Sequence, residues 1–322
     1  MIFEAPPVLT ILIITYNHCD SIIRTLDSVF SQITDYSYEV VIHDDASTDG
    51  TTSVLLDYKK NYPQIIKLLC EEENVYSKGP ENIIFVTMPH IKGKYVITLE
   101  GDDYWCDERK IQKQIDYMER NPAVIATTHR CMNMKIDTDG DTKILGFSPS
   151  NKDDDYWSID EVIDWADGPH TTSLLMKSEL YKSIPTNLHS IAAGDWKNMV
   201  WLCANGRVHY SDDIMSAHVL SVKGSYTERN FGNGVYHEYE HLMEKRQKWC
   251  DMLDNETSFR YHKLFVRSQE RRWGQYYWNK GEYRRASKFK SFYKGKSIRK
   301  KIVMMLISLI PGAEEGYRRF IS

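Results

Sequence analysis

Carboxylate side chains cluster where one apolar segment of the sequence ends. Residues 94–105 read KYVITLEGDDYW, so the apolar run Tyr95–Leu99 is followed at once by Glu100, Asp102 and Asp103. Three carboxylates within four residues repel one another. A divalent cation bound through oxygen would relieve that repulsion and keep coordination sites for phosphate. The stretch therefore predicts a buried strand that ends in a metal site, and a plain acidic surface loop is the alternative.

Polar side chains also follow two earlier apolar runs. The run Leu9–Ile14 ends in Thr15, Tyr16 and Asn17, and the run Tyr38–Ile42 ends in HDDASTDGT. In open α/β sheets, ligands bind beyond the carboxyl ends of the strands. Helix capping explains single Ser, Thr, Asp or Asn residues at such ends, but it does not explain polar groups at three successive ends. We therefore expect the three strand ends to form one ligand site.

The elements between these motifs alternate between strand and helix, which predicts a sheet with parallel strands and right-handed crossovers. A third strand is predicted at 65–70. Helices are predicted at 19–32, around 54–58, at 83–91, at 108–120 and at 197–204. A further strand is expected at 123–128, and 169–176 should rejoin the sheet. The polar segment 138–156 is expected to be a loop that orders over the substrate.

The three motifs together resemble the family 2 inverting nucleotide-sugar glycosyltransferases of the GT-A fold. The resemblance is carried by LTILIITYNHCDSIIRTLDSVFSQ, EVVIHDDASTDGT and GKYVITLEGDDYW, and it covers about residues 7–225. It implies an α/β fold, with a Rossmann-like mixed sheet flanked by helices, and UDP-sugar as the donor. The residues that the resemblance assigns to the nucleotide are Thr15, Tyr16, Asn17, Asp44, Asp45, Lys78 and Asp102, with Asp45 on the uracil N–H.

The resemblance also assigns the metal. It implies that Asp103 binds Mn²⁺ or Mg²⁺ bridging the diphosphate, and that Asp102 faces the ribose or the metal shell. A cation there would offset the negative charge on the departing UDP. His218 lies at the position where many relatives have a diphosphate-binding arginine, and Leu220 lies where a histidine follows in those relatives. His218 either replaces that arginine or ligates the metal.

The general base is the remaining assignment. Asp195 lies at the predicted start of a helix, where the resemblance places the carboxylate that deprotonates the acceptor. From the residues alone, an N-terminal helix cap is the alternative. His170, beside several hydroxyl side chains, is a candidate contact to the acceptor or to phosphate.

Composition indicates where the protein acts. The net charge of −4 argues against nucleic-acid binding, but residues 260–301 hold fifteen Lys or Arg and two acids. The apolar run Ile302–Ile310 follows, and it is shorter than the roughly 20 residues that span a bilayer. A basic and then apolar end predicts attachment to an anionic membrane, and docking on the body is the alternative. Scattered cysteines and an N-terminus without a signal-peptide pattern predict a cytoplasmic protein on the inner face of the membrane.

These inferences define two domains and one activity. A GT-A domain is expected at 1–225, with a nucleotide-binding half at 1–103 and an acceptor half at 104–225. A helical extension follows at 226–322. The predicted activity is metal-dependent, inverting hexosyl transfer from a UDP-sugar to a lipid-linked saccharide of a bacterial surface polysaccharide. The alternative is a non-catalytic nucleotide-sugar-binding partner, which the departures at Ala217, His218 and Leu220 favour. A nucleotidyltransferase would need a glycine-rich phosphate loop, and TYNHCD is not one.

Overall fold

The structure, a computed structural model, describes residues 6–136, 141–164, 168–220, 236–293, 301–302, 304 and 306–307. The chain divides into two compact units, Met1–Gly234 and Val235–Ser322. The domain boundary expected after residue 225 lies outside the described residues. Each unit is described by itself below.

A mixed sheet forms the body of the first unit. Within the described residues it has nine strands, in the order β3-β2-β1-β4-β8-β6-β9-β5, and β7 pairs with β6. The strands β1 to β4 are parallel to their neighbours in this group, whereas β8 runs antiparallel to β4. The strand bounds are β1 Leu9–Thr15, β2 Tyr38–Asp44, β3 Ile66–Cys70, β4 Tyr95–Glu100, β5 Tyr104–Trp105, β6 Val124–Ile136, β7 Thr142–Ser148, β8 Leu175–Lys177 and β9 Arg207–Leu220.

Apolar side chains explain why the central strands lie inside. Nearly every residue of β1 and β4 is buried, as expected for parallel strands that are covered on both faces. The helices of this unit are α1 Ile22–Phe30, α2 Thr51–Asn61, α3 Glu81–Thr87, α4 Lys110–Arg120, α5 Ile159–Asp164, α6 Ser178–Lys182 and α7 Gly194–Asn205. Leu26 and Val29 of α1 and Ile111 and Ile115 of α4 join the core with the strands. The sheet therefore presents the carboxyl ends of β1, β2 and β4 at one edge.

One prediction for this unit is wrong, and the alternative considered for Asp195, a helix cap, does not hold. The segment 138–156 is not a plain loop, because Thr142–Ser148 forms β7 and pairs antiparallel with β6. Asp195 is not a helix cap: α7 begins at Gly194, the capping position is Ala193, and no side chain caps it. Asp195 instead lies in the first turn, and its Oδ1 accepts the Trp196 N–H at 2.7 Å.

The second unit is helical, as the sequence predicted. Its helices are α8 Tyr236–Glu256, α9 His262–Asn279, α10 Tyr283–Ala286 and α11 Lys290–Tyr293. Aromatic side chains such as Tyr276, Tyr277 and Phe292 form its core. Among the residues that the structure describes, no helix is both long enough and apolar enough to cross a membrane. Most of the basic and apolar segment predicted to bind membranes, 294–300 and 308–310 included, lies outside the described residues.

Candidate active site

The loops that follow β1 and β2 bind each other at the sheet edge. Asn17 has a left-handed backbone, with φ of 54°, which asparagine tolerates better than most residues. Its N–H donates to Ser47 Oγ at 2.9 Å, and its Oδ1 accepts the Thr48 N–H at 2.8 Å. Cys19 N–H likewise donates to Asp49 Oδ2 at 2.9 Å. The predicted nucleotide residue Asn17 thus fixes the distance between two strand ends.

Asp44 holds the second loop in shape. Its two carboxylate oxygens accept the hydroxyls of Ser47 and Thr52, each at 2.5 Å, and its side chain is buried. Both carboxylate oxygens of Asp44 are therefore hydrogen-bonded within its own loop and to the first turn of α2. Its predicted contact to a nucleotide remains a prediction.

Asp45 connects the β2 end to the segment 73–79. Its Oδ1 accepts the Val75 N–H at 2.6 Å and its Oδ2 accepts the Tyr76 N–H at 3.2 Å. Each oxygen of a carboxylate keeps a second lone pair, so Asp45 can still accept a hydrogen bond from a ligand. Lys78, predicted to reach the nucleotide, is exposed and pairs with Glu73 at 2.6 Å. Tyr16 is 44% exposed beside these loops.

Hydroxyl groups at the start of α1 hold the acidic loop after β4. Ser21 Oγ donates to the Gly101 carbonyl at 2.9 Å, and Thr25 Oγ1 donates to the Asp103 carbonyl at 2.7 Å. Gly101 is needed because its backbone runs against the β1 end, where a Cβ would lie 2.6 Å from Thr15 Oγ1. Thr15 is buried, and its hydroxyl lies 3.2 Å from His18 Nδ1. Thr15, which was predicted to bind the nucleotide, therefore packs under the acidic loop, and its side chain is not exposed to solvent.

Asp102 and Asp103 point to different partners. The carboxylate of Asp102 lies 3.8 Å from His18 Nε2. The carboxylate of Asp103 is 3.1 Å from His218 Nδ1 and accepts the Val219 N–H at 2.9 Å. Burial raises the pKa of Asp102, and the neighbouring charge of Asp103 raises it further.

Three side chains around Asp103 form a group that could hold a metal ion. Ligand atoms of Glu100, Asp103 and His218 all lie within 4.8 Å of one another. Burial raises the pKa of Glu100 to about 8, and the charges of Asp103 and Asp102 act in the same direction. Burial pulls the pKa of His218 down, but Asp103 and the other carboxylates outweigh it and raise the pKa to about 9. The structure thus brings together the two predicted ligands, Asp103 and His218, and adds Glu100.

Two further predicted residues border this set. His170 stacks on the His218 ring, with centroids 4.2 Å apart, so it supports the imidazole. Asp195 at the start of α7 is partly exposed, and its charge contributes to the raised pKa of Glu100. The charge of the predicted base is therefore close enough to the metal-binding candidates to affect the pKa of Glu100. A signal for Glu100 was present in the clustered acids of the sequence, and the hydroxyl side chains beside His170 had marked it as a candidate, although not as a neighbour of His218.

Comparison with known proteins identifies the class of fold. The mannosyltransferase PcManGT from Pyrobaculum calidifontis, solved in complex with GDP-Man and Mn²⁺, superposes with a TM-score of 0.56 at 17% sequence identity. The match covers 97% of this chain and 83% of that chain. The mixed sheet with flanking helices is therefore the GT-A fold of glycosyltransferases, and the predicted fold class is confirmed.

Sequence comparison identifies the family. The family model described as Glycosyl transferase family 2 matches residues 10–164. These residues belong to that family, as the three motifs predicted.

Curated relatives are similar over parts of the chain. An uncharacterized protein of Mycobacterium bovis, Mb1547, is 28% identical over 225 residues, which are 69% of this chain and 62% of that protein. The chain thus spans less than two thirds of the length of this relative. The Escherichia coli protein WfaP, named a UDP-Glc:alpha-D-GlcNAc-diphosphoundecaprenol beta-1,3-glucosyltransferase, is 36% identical over 110 residues. These residues are 34% of this chain and 41% of WfaP.

Proposed function

We propose that this protein transfers a sugar, with inversion, from a UDP-sugar to a hydroxyl group of a saccharide. The observation that carries the proposal is the set of Glu100, Asp103 and His218 at the carboxyl edge of the sheet, in electrostatic range of Asp195. A cation-binding set and a base are the two parts that such a transfer requires. Family membership and the name of WfaP support the same class of reaction.

The residues of the set fit Mn²⁺ or Mg²⁺. Two carboxylates and one imidazole form a donor set of oxygen and nitrogen that suits Mn²⁺, and hard carboxylate oxygen also suits Mg²⁺. Glu100, Asp103 and His218 would hold the ion. When bound, the ion would neutralise charge on the diphosphate of the leaving UDP. PcManGT, which shares the fold, was solved with Mn²⁺.

We expect the nucleotide to bind at the edge of the sheet where the loops after β1 and β2 lie. Asp45, which already accepts two backbone N–H groups from 75 and 76, has the lone pairs to accept the uracil N–H. Tyr16 offers an exposed ring to the base. The backbone of the acidic loop is held by Ser21, which precedes α1, and by Thr25 of α1. A rigid edge of this kind lowers the entropy lost on binding.

Asp195 would remove the proton from the acceptor hydroxyl. The oxygen then forms a bond to the anomeric carbon while the bond from that carbon to the diphosphate oxygen breaks, and UDP leaves with the electron pair. The proton stays on Asp195 and passes to solvent. A positioned base contributes roughly 10²–10⁴-fold to such a rate. The hydrogen bond from the Trp196 N–H orients the carboxylate for this task.

The acceptor is proposed to be a lipid-linked saccharide of a bacterial surface polysaccharide. WfaP, by its name, acts on a diphosphoundecaprenol-linked sugar. The basic excess of residues 260–301 is compatible with a site of action at the inner face of the cell membrane. The chain would reach that face as a peripheral protein of the cytoplasm.

Release of UDP tests the proposal. The purified protein is incubated with a panel of UDP-sugars in Mn²⁺ or in chelator, and free UDP is measured. We expect release in Mn²⁺ from at least one donor, and loss of release and of metal-dependent UDP affinity in Asp103→Asn. The exposed Asp57 of α2 gives the matched control Asp57→Asn, which should behave as the native protein. A native protein that binds UDP and never releases it from any donor would favour the non-catalytic binder.

A further inference from the structure

The turn that joins the two long helices of the second unit has an uncommon backbone conformation. Helix α8 ends at Glu256, and α9 begins at His262. Between them, Ser258 and Phe259 have left-handed backbones, with φ of 53° and 57°. Residues other than glycine rarely adopt positive φ, and where they do the surrounding structure has to hold them. Two such residues in succession indicate that this turn is kept in one specific shape.

Polar groups at the helix ends hold the turn in that shape. The Phe259 N–H donates to the Asp254 carbonyl at 2.8 Å, and the Thr257 hydroxyl donates to the Leu253 carbonyl at 2.9 Å. Asp254 is buried, and its Oδ2 lies 2.6 Å from His262 Nδ1, so this carboxylate connects the end of α8 to the start of α9. The position of Phe259 is therefore fixed by contacts that involve both helices.

The turn presents apolar side chains to solvent. Phe259 is 60% exposed, the largest exposed fraction of any large apolar residue in the part of the chain that the structure describes. Val266, one turn into α9, is 44% exposed, whereas its neighbour Phe265 is buried. A single exposed apolar residue is ordinary on a protein surface. An aromatic ring on a constrained backbone, with a second exposed apolar side chain in the next helix turn, instead indicates a binding surface.

The same surface carries positive charge. Residues 258–269 include three basic side chains, Arg260, Lys263 and Arg267, and no acidic one. Arg260 and Lys263 are exposed, and Lys263 lies on the same side of α9 as Val266, three residues further on. Aromatic rings concentrate at the level of the lipid headgroups, and Lys and Arg are attracted to anionic lipids there. The charge and the exposed ring are therefore complementary to the surface of an anionic bilayer.

A lipid surface fits these residues better than a protein partner does. Two exposed apolar side chains and two exposed cations make a small surface, whereas a stable protein interface buries about 800 Å² on each partner. Attachment to a membrane does not require such an area. Each inserted apolar side chain and each cation near an anionic surface adds its own share to the attraction.

We propose that Phe259, Arg260, Lys263 and Val266 form a docking surface for an anionic lipid bilayer, which we call the Phe259 surface. The Phe259 ring enters the boundary between headgroups and acyl chains, and the two cations contact lipid phosphates. This inference rests on the peripheral attachment proposed above, and it names the lipid class and the side chains that make the contact. The apolar contact comes from the turn and not from the run 302–310. None of the four residues belongs to the candidate active site.

Two variants test the surface, each with a matched control. Phe259→Asn removes the ring and keeps the turn, because asparagine tolerates a left-handed backbone. Its control is Leu56→Gln, which removes an exposed apolar side chain from α2. Lys263→Gln removes one exposed cation, and its control is Lys60→Gln, which removes an exposed cation from α2. Sedimentation of the full chain with vesicles of phosphatidylcholine, with and without an equal part of phosphatidylglycerol, measures membrane affinity. Calorimetry in Mn²⁺ measures UDP affinity.

The expected result is a loss of affinity for the anionic vesicles alone. Phe259→Asn should bind them at least about 10-fold more weakly, the lower limit for removing a buried aromatic side chain. Lys263→Gln should bind them about fivefold more weakly, the share of one basic residue near such a surface. Both controls should bind as the native protein does, and all four variants should keep the native UDP affinity. A loss below about threefold in Phe259→Asn would overturn the inference, since about 10-fold is the smallest expected loss.

Other outcomes also contradict the inference. Equal binding of the native protein to vesicles with and without phosphatidylglycerol would show that the cations take no part. A native dimer that Phe259→Asn makes monomeric would assign the surface to a second copy of the chain. If Phe259→Asn does not fold, Lys263→Gln decides, and unchanged binding of that variant to anionic vesicles refutes the surface.

The two measurements separate the failure of this inference from the failure of the proposed function. A native protein that binds no vesicle refutes peripheral attachment and the Phe259 surface together, and release of UDP still tests the transfer by itself. A native protein that binds anionic vesicles through Phe259 and never binds UDP in Mn²⁺ supports the surface and refutes the transfer.

Discussion

Gly101 offers the sharpest test of how the acidic loop is held. The backbone of this loop runs so close to the β1 end that a Cβ on residue 101 would lie 2.6 Å from Thr15 Oγ1 and 2.7 Å from His18 Nδ1. Real Cβ atoms do not approach other heavy atoms so closely. Gly101→Ala therefore has to displace Thr15 and His18 or lift the loop away from β1.

Both responses have a cost that can be estimated. Inserting a methyl group into a packed site of this kind costs about 1–3 kcal/mol in unfolding free energy. Lifting the loop also moves Asp103, whose carbonyl accepts a hydrogen bond from Thr25 of α1 and whose carboxylate accepts one from the Val219 N–H of β9. A displacement near 1 Å at a reacting centre lowers a rate by roughly 10²-fold. We expect Gly101→Ala to lose stability and metal-dependent UDP affinity together.

Urea unfolding and calorimetry with UDP in Mn²⁺ measure the two effects. The matched control is Gly194→Ala at the start of α7, where a Cβ would meet no atom within 4 Å. That control should be neutral in stability, or more stable by about 0.4–1 kcal/mol because the unfolded chain has less freedom. If Gly101→Ala matches Gly194→Ala in stability and keeps the native affinity for UDP, the close packing of the loop on β1 does not support the site.

Three further predictions address single side chains. Asp195→Asn can still accept the Trp196 N–H, so UDP affinity should be kept while transfer falls roughly 10²–10⁴-fold; transfer near the native rate would place the base elsewhere. Asp45→Asn weakens two hydrogen bonds to backbone N–H groups, so it should lower the unfolding free energy by about 1–3 kcal/mol, measured in urea. It should also lower the affinity for UDP with or without metal. Full native stability would contradict the role of this carboxylate in connecting the β2 end to the segment 73–79. The lowered pKa of Lys197 destabilises the fold wherever the ammonium is charged in both states, that is below about pH 8, and the penalty vanishes as pH rises towards the ordinary lysine pKa of 10.5. Lys197→Met should therefore be more stable than the native protein by roughly 3 kcal/mol at pH 7 and by little above pH 10.5, and a gap that does not change with pH would refute this account.

The sequence predicted the elements that carry local signals. Buried parallel strands appear as continuous apolar runs, so β1, β2 and β4 were recognised to within a residue or two at each end. The strand β7 was missed because it pairs with one neighbour only and exposes residues such as Ile144, which is 55% exposed. A half-exposed strand with a polar composition resembles a loop. Its pairing with β6 is a tertiary effect that no short window contains.

The residues of the candidate site also divide into those with a local sequence signal and those brought together only by the fold. Asp102 and Asp103 could be found because they follow a buried strand, and the motif around them is local. The partners of Asp103 could not be found by spacing, since His218 is 115 residues away and reaches it by strand pairing. The burial of Lys197 is also a property of the folded chain: in the sequence this lysine reads as one more polar residue of a helix. Burial of such a charged side chain is visible only in the structure.

One short pairing accounts for the geometry of the proposed metal ligands. The strand β5 has two residues, and they pair antiparallel with Ala217 and Ser216 of β9. That pairing aligns Asp103, which precedes β5, with His218 and with the Val219 N–H. On the other side, hydroxyls at the start of α1 hold the carbonyls of the same loop. The acidic side chains are therefore positioned by backbone pairing and by α1 before any ligand arrives. We expect a site built in this way to lose little conformational entropy when it binds the proposed nucleotide, which is the physical advantage of placing it at the end of a buried strand.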